Sequence, residues 1–228
     1  MTSPMPEFEN CSVVLVGSFN PAIFHPEWFV RQGLLPADAV DAAKIAVVSP
    51  DVTECVVGSV KVFCDNTRLV FTVGNMTESA KLQDLVVGTL RILAHVPLAA
   101  VGLNQEGVFR AQSEEHWHKI GHTLAPKEPV WDKLGKSPGM QQISIKYLLQ
   151  DNPKIELNLT VAPYPQTGPK HPAIKINSNL HYQVVHDTGI SSTGGTTALA
   201  IDFILERWDD ATTKVRAVAD TIFEEIKP

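Results

Sequence analysis

The sequence predicts an α+β protein whose helices pack on one face of a mainly antiparallel sheet. Runs rich in β-branched residues, joined by short polar connections, indicate strands in hairpins and meanders. Stretches with apolar residues at every third or fourth position indicate helices between and after those runs. We therefore predict two similar halves, each with the order strand, helix, antiparallel meander, helix, which together build one compact domain.

The first half covers residues 11–97, after a loose leader at residues 1–10. It opens with an apolar strand at residues 11–17 that ends in glycine. A short helix follows this strand. Pro26 at its first position and Gly33 at its end are residues typical of helix boundaries.

The first meander and its covering helix follow a second short helix at residues 36–44. Asn75 and Glu78 have the spacing of a capping box at the start of the covering helix. Pro97 prevents that helix from continuing. The strands of the meander are rich in β-branched residues and are predicted at residues 45–48, 53–63 and 67–74.

The second half, residues 98–228, opens with a strand at residues 98–109. Ser113, followed by two acidic residues, predicts the N-cap of the next helix. The second meander alternates apolar and polar residues, which is typical of a sheet with one wet face. Its strands are predicted at residues 142–149, 154–161 and 173–185.

The stretch at residues 197–207 fits two structures. Four of its apolar residues recur with the period of two that is typical of a strand: Leu199, Ile201, Phe203 and Leu205. In that interpretation Asp209 and Asp210 cap a separate final helix. Residues 197–226 also fit one continuous helix. We predict the strand.

A succession of motifs runs through the middle and the end of the chain. It consists of the strand at residues 68–73, a helix, a strand that contains Gly102, Leu103 and Asn104, and a strand at residues 199–203 before a closing helix. This succession resembles an uncharacterised, sporadically distributed bacterial family of α+β proteins. The resemblance implies a fold and no particular chemistry.

Composition argues against several classes of protein. Apolar residues make up 44% of the 228 residues, so extensive disorder is not expected. The net charge of −6, without a cluster of Lys or Arg, argues against nucleic-acid binding. The sequence contains no apolar run of membrane-spanning length and no features of a signal peptide. Cys11, Cys55 and Cys64 lack the spacing of a disulfide framework, so we predict buried thiols in a cytoplasmic protein.

His116, His118 and His122 form the densest group of candidate metal ligands. On a helix, His118 and His122 are one turn apart and face the same side, which suits two metal-binding nitrogens. A further ligand would have to come from Glu114, Glu115, Asp202 or His181. Structural or solvated histidines explain the group as well, and we predict no cofactor.

Residues 189–197 are rich in glycine, serine and threonine, whose backbone amides could hold a phosphate. The stretch lacks the lysine of a P-loop and the spaced glycines of a dinucleotide fingerprint. A flexible connection between two strands is the alternative interpretation. The candidate ligand-binding residues are Ser191, Ser192, Thr193, Gly194 and Gly195.

An aromatic group lies on a proline-punctuated segment near the N-terminus. Core packing is one interpretation of these rings. The other is a surface for a protein partner, formed by Phe24, Trp28 and Phe29.

Two functional hypotheses follow from these residues. Because no convergent set of reactive residues is present, we predict no catalytic residue. The first hypothesis is a non-enzymatic cytoplasmic protein that acts by self-association or by binding a protein partner, since a homodimer would cover exposed strand edges. The alternative is a small-ligand or metal-dependent enzyme that combines the three histidines with residues 189–197.

Overall fold

One continuous antiparallel sheet runs through both halves of the chain. The computed structural model describes residues 4–164, 172–184 and 195–228. The strands in these ranges are β1 (Pro6–Gly17), β2 (Lys44–Val48), β3 (Val52–Val57), β4 (Val60–Asp65), β5 (Arg68–Val73), β6 (Leu98–Arg110), β7 (Ile143–Leu148), β8 (Ile155–Tyr164) and β9 (Ala173–Gln183). Their order across the sheet is β2-β3-β4-β5-β1-β6-β9-β8-β7, so β2 and β7 are its two edges.

The helices pack on one face of this sheet. They are α1 (Pro26–Arg31), α2 (Ser79–Ile92), α3 (Glu114–Leu124) and α4 (Gly195–Glu225). Most of the buried apolar side chains of the central strands project from the face that the helices cover. Leu15, Phe71 and Leu180, for example, all join the core beneath the helices. The chain is therefore an α+β protein with one helical layer.

The opposite face of the sheet carries polar side chains. A row across its centre is held by hydrogen bonds between side-chain amides. Asn179 Nδ2 donates to Asn104 Oδ1 at 2.5 Å, and Asn158 Nδ2 donates to Asn179 Oδ1 at 3.5 Å. All three asparagines are half-buried, and no described helix covers them.

Local sequence signals place two helix starts. Ser113 Oγ accepts a hydrogen bond from the backbone N–H of His116 at 3.0 Å, as the predicted N-cap requires. Asn75 Oδ1 accepts from the N–H of Thr77 at 3.0 Å and opens a 3₁₀ turn that leads into α2. Glu78 does not complete a capping box, because its carboxylate pairs with Lys81 at 2.8 Å instead.

Three predicted boundaries in the first half differ from the structure. Residues 6–10 belong to β1 rather than to a loose leader. The single strand predicted at residues 53–63 is the hairpin of β3 and β4, which turns at Gly58 with a φ of 59°. The helix predicted at residues 36–44 shrinks to a 3₁₀ turn at Ala37–Ala39.

The strand predicted at residues 197–207 is wrong, because this stretch is the first third of α4. Ala200, Phe203 and Ile204 are buried at helical spacing, whereas Leu205 is 49% exposed. The same spacing continues through Trp208 and the residues beyond it. One apolar face that persists over 31 residues outweighs a short run with a period of two.

Three polar contacts fix the second half of α4 against the sheet and α3. The side chain of Gln105, buried on β6, donates to Thr212 O at 2.7 Å and accepts from Val215 N at 2.9 Å. Glu9 on β1 accepts from Arg216 Nε at 2.9 Å through both carboxylate oxygens. Nε2 of His116 on α3 contacts the carbonyl oxygen of Ile226, just beyond the end of the helix.

Candidate functional site

His116 is a buried structural residue. Its ring is completely buried, and Nε2 lies 2.6 Å from the carbonyl oxygen of Ile226. Nδ1 accepts a hydrogen bond from the N–H of Gln112 at 3.3 Å, so Nε2 is the protonated nitrogen that donates to Ile226. The ring also packs edge-on against Phe223. Both ring nitrogens thus have backbone partners, and His116 does not face the other two histidines.

His118 and His122 line a cleft of about 300 Å³ between α3 and residues 137–140. Their rings stack with centroids 6.5 Å apart, and Trp117 forms part of the same wall. A carboxylate oxygen of Glu114 lies 3.8 Å from His118 Nε2. Within the described ranges, no three His, Cys, Asp or Glu side chains are grouped so that they could hold a metal ion. Metal binding by the two histidines stays a prediction.

The other proposed ligands lie away from this cleft. His181 is opposite Glu156 on β8 and projects from the sheet face that carries no helix. Asp202 is exposed in the first third of α4, whereas α3 packs against the last third. Neither side chain can complete a site with His118 and His122.

The glycine- and serine-rich stretch lies mostly outside the described residues. This applies to Ser191, Ser192, Thr193 and Gly194, whereas Gly195 is the first residue of α4 with a φ of 63°. Thr197 Oγ1 then donates to Val96 O at 2.9 Å and anchors this end of the helix. With a rise of about 1.5 Å per residue, the start of α4 lies about 45 Å from the end that contacts His116. Gly195 and the three histidines therefore cannot share one catalytic site.

The aromatic group near the N-terminus belongs to the core. Phe24 and Phe29 are completely buried, so neither ring presents a surface to a partner. Phe29 packs edge-on against Phe71 of β5 with ring centroids 6.3 Å apart. Trp28 is half-buried and packs edge-on against Phe29. These contacts attach α1 to the sheet.

The cysteines are free and buried on one face of the sheet. Burial raises the pKa of Cys11 and Cys64 to about 12, and that of Cys55 to about 11. A neighbouring carboxylate adds to each shift, for example Glu9 beside Cys11. Thiols with such pKa values are protonated at neutral pH and are poor nucleophiles.

Exposed apolar side chains concentrate in residues 130–148. Among the described residues, this stretch contains six of the fourteen large hydrophobic residues that are exposed. Three belong to the connection between α3 and β7, and three belong to β7 itself. The six are Val130, Trp131, Leu134, Ile145, Tyr147 and Leu148. A concentration of this kind at one end of a fold is typical of an interaction surface.

An apolar groove runs beside β7 on the helical face of the sheet. Its volume is about 320 Å³, and its walls are formed by β7, β8 and the second half of α4. Ile145 and Tyr147 form one rim and are 47% and 48% exposed. Val218 and Ile222 of α4 form the other rim, and Leu159 of β8 is part of the lining.

Among the described residues, the outer edge of β7 has no strand paired to it. Leu149, opposite Ile155, donates its N–H to the carbonyl of that residue at 3.1 Å. Hydrogen-bonded and non-hydrogen-bonded pairs alternate along an antiparallel ladder. The odd-numbered residues of β7 therefore bond to β8. The N–H and C=O groups of Ser144, Lys146 and Leu148 point away from the sheet.

The two edges of the sheet differ in their protection. β2 is interrupted by an irregularity between Ile45 and Val47, a feature that blocks regular pairing with another strand. β7 pairs with β8 over its whole length without such a shift. Its lysine, Lys146, is paired with Glu156 of the same chain at 2.6 Å. The β7 surface, meaning the free edge of β7 and the adjacent groove, is therefore the candidate functional site.

The sequence predicts β7 as a strand but does not identify it as the edge of the sheet. The alternation of Ile143, Ile145 and Tyr147 predicts one buried face, but it does not tell an edge strand from a central one. The available signal was the density of large apolar residues from Val130 to Leu148 around loop-forming residues.

Comparison of the chain with known protein families and with curated proteins gives no match. The resemblance to the bacterial α+β family therefore stays a prediction. Among the described residues, no helix is long and apolar enough to cross a membrane.

Proposed function

We propose that this protein is not an enzyme and acts by binding another protein chain through the β7 surface. The observation that supports this function most directly is the coincidence of an unprotected strand edge with the exposed apolar residues of the same stretch. An edge of this kind accepts an extended strand, whose backbone hydrogen bonds provide affinity and whose side chains enter neighbouring pockets. A cytoplasmic location, predicted from the cysteines, is part of this proposal.

The groove beside β7 gives such a strand its side-chain contacts. A strand added to β7 directs alternate side chains toward the helical face, next to Ile145 and Tyr147. These side chains extend the apolar rim of the groove, whose far side is formed by Val218 and Ile222 of α4. The surface therefore selects a partner strand with apolar residues at alternate positions.

We also infer that the chain is a structural near-repeat. Each half has a first strand, a helix, a meander and a closing helix, with four meander strands in the first half and three in the second. The first strands, β1 and β6, pair in the centre of the sheet, and each meander begins at an outer edge. In this arrangement both outer strands would have a free edge. Of the two, β2 has a register shift that hinders pairing with another strand, and β7 has none.

A proline at the free edge tests the proposed function. Ser144→Pro removes an N–H that points toward a partner and leaves the backbone hydrogen bonds from β7 to β8 in place. A fluorescein-labelled peptide with the sequence of residues 142–149 is the probe, and fluorescence anisotropy measures its binding. We expect the wild-type protein to bind the peptide and Ser144→Pro to lose this binding. Ser144→Thr keeps the N–H and should bind as the wild type does.

Two results would argue against this function. One is a wild-type protein that neither binds the peptide nor associates with any chain in light scattering at micromolar concentration. The other is peptide binding that Ser144→Pro leaves unchanged although the variant retains the wild-type circular dichroism spectrum. In that case the bound peptide would lie somewhere other than the β7 edge.

A small-ligand or metal site is the second candidate function, favoured by the cleft that His118 and His122 share. The arrangement would suit a divalent transition metal held by two imidazole nitrogens and solvent. Equilibrium dialysis with zinc measures this directly. If this candidate is correct, the wild type and His95→Ala bind stoichiometric zinc, whereas His118→Ala and His122→Ala do not. No bound zinc would exclude it.

A further inference from the structure

We propose that the chain bound at the β7 surface is a second copy of this protein, paired β7 to β7 about a two-fold axis at Ile145. This inference rests on the proposed function and adds the identity of the partner and the register of the pairing.

Symmetry restricts the pairing to a few registers. A two-fold axis perpendicular to the sheet pairs the two copies of β7 antiparallel and keeps both helical layers on the same side. Residues directly opposite each other in an antiparallel pair project from the same face of the sheet. The two members of every pair must therefore both be odd-numbered or both be even-numbered, and the axis passes through a residue.

An axis at Ile145 gives the best match. It pairs five residues of β7, with Ile145 opposite itself, Ile143 opposite Tyr147, and Ser144 opposite Lys146. The backbone groups that point outward belong to even-numbered residues, so the Ser144–Lys146 pairs are the hydrogen-bonded ones. All apolar pairs then lie on the helical face, next to the two grooves.

The two neighbouring registers are less favourable than the one with its axis at Ile145. An axis at Lys146 places the two lysines directly opposite each other, where like charges are destabilising. An axis at Ser144 pairs only three residues of the strand. With the axis at Ile145, each Lys146 lies opposite a serine and keeps its ion pair with Glu156 of its own chain.

The irregularity in β2 favours a closed dimer over a filament. Pairing β7 of one copy with β2 of the next would repeat without end. The register shift between Ile45 and Val47 interrupts regular pairing on that edge. Pairing β7 with β7 uses up both unprotected edges. A strand of six residues is about 20 Å long, so we expect a dimer that dissociates at micromolar concentration.

Disulfide trapping tests the register. Residues opposite each other in a non-hydrogen-bonded pair have Cα atoms about 4.5 Å apart, a separation that a disulfide can bridge. Ile145→Cys should therefore form a covalent dimer under mild oxidation. Tyr147→Cys is the matched control because it keeps Lys146. Its two copies lie four residues apart along the paired strands in this register, about 14 Å, whereas an axis at Lys146 makes the copies of residues 145 and 147 equivalent diagonal neighbours. The native thiols are buried in both variants.

We expect sedimentation of the wild type to show an apparent mass that rises from that of one chain to that of two as the protein concentration increases. Ile145→Cys should give a dimer band that reductant removes, and adding Ser144→Pro should abolish it. A strictly monomeric wild type that still binds the edge peptide would overturn the homodimer and leave the proposed function standing. Cross-linking of Tyr147→Cys as fast as that of Ile145→Cys, or a ladder of larger species, would overturn the register. A dimer that Ser144→Pro does not weaken would overturn both proposals.

Discussion

Gln105 gives the sharpest test of how the fold supports the β7 surface. Its side chain is 2% exposed and bonds to two backbone groups in the middle of α4, the carbonyl of Thr212 and the N–H of Val215. Gln105→Met keeps the length of the side chain and removes both hydrogen bonds. Each buried backbone group that loses its partner costs about 1–3 kcal/mol. We expect a loss of about 2–4 kcal/mol in the free energy of unfolding.

Urea denaturation followed by circular dichroism measures this loss. Gln112→Met is the matched control, because Gln112 is exposed and the change should stay within about 0.5 kcal/mol. Since α4 forms one wall of the groove, Gln105→Met should also weaken binding of the edge peptide under conditions in which the variant is folded. A variant as stable as the wild type would refute the idea that Gln105 holds α4 in place.

Three further predictions follow from the buried and charged groups. Arg216→Met leaves the carboxylate of Glu9, whose side chain is 5% exposed, without its partner. We expect the free energy of unfolding to fall by about 1–3 kcal/mol, whereas Arg91→Met, at an exposed arginine, should change it little. Desolvation raises the pKa of Asp65, but hydrogen bonds within its turn outweigh it and lower the pKa to about 2. The ionised form therefore stabilises the fold above about pH 4, and this contribution of about 1 kcal/mol is lost as the pH falls toward 2. In Asp65→Asn, the free energy of unfolding should no longer show this decrease between pH 4 and pH 2. A disulfide reagent should react with all three thiols in denaturant and with none in the native protein, and rapid native labelling would contradict their burial.

The sequence was sufficient for elements whose signals are local. Ser113 and Asn75 cap helices in the structure because a side chain bonds to backbone N–H groups within three residues, which needs no tertiary contact. The strand predicted at residues 98–109 was also found, since β6 is long and bounded by Pro97. Residues 197–207 were misassigned because their pattern fits two periods, and only packing against β6 and β9 decides between them.

The candidate site depended on information that no local pattern contains. Whether β7 is an edge is decided by the order of strands, in which β9 pairs with β6 and leaves β7 outermost. For the histidines, local spacing predicted part of the arrangement. Spacing placed His118 and His122 on one face of α3, as found, but it could not show that His116 is buried against the end of α4.

The contacts of α4 indicate why the groove beside β7 has a defined shape. Apolar packing alone fixes a helix weakly along its axis, because neighbouring turns present similar side chains. Directed hydrogen bonds remove this freedom, since a shift of one turn would leave buried polar groups unpaired. Gln105, the pair of Glu9 and Arg216, and the contact of His116 with Ile226 all act on the second half of α4. That half forms the wall of the groove, so the anchors are placed where a strand added to β7 would need a rigid neighbour.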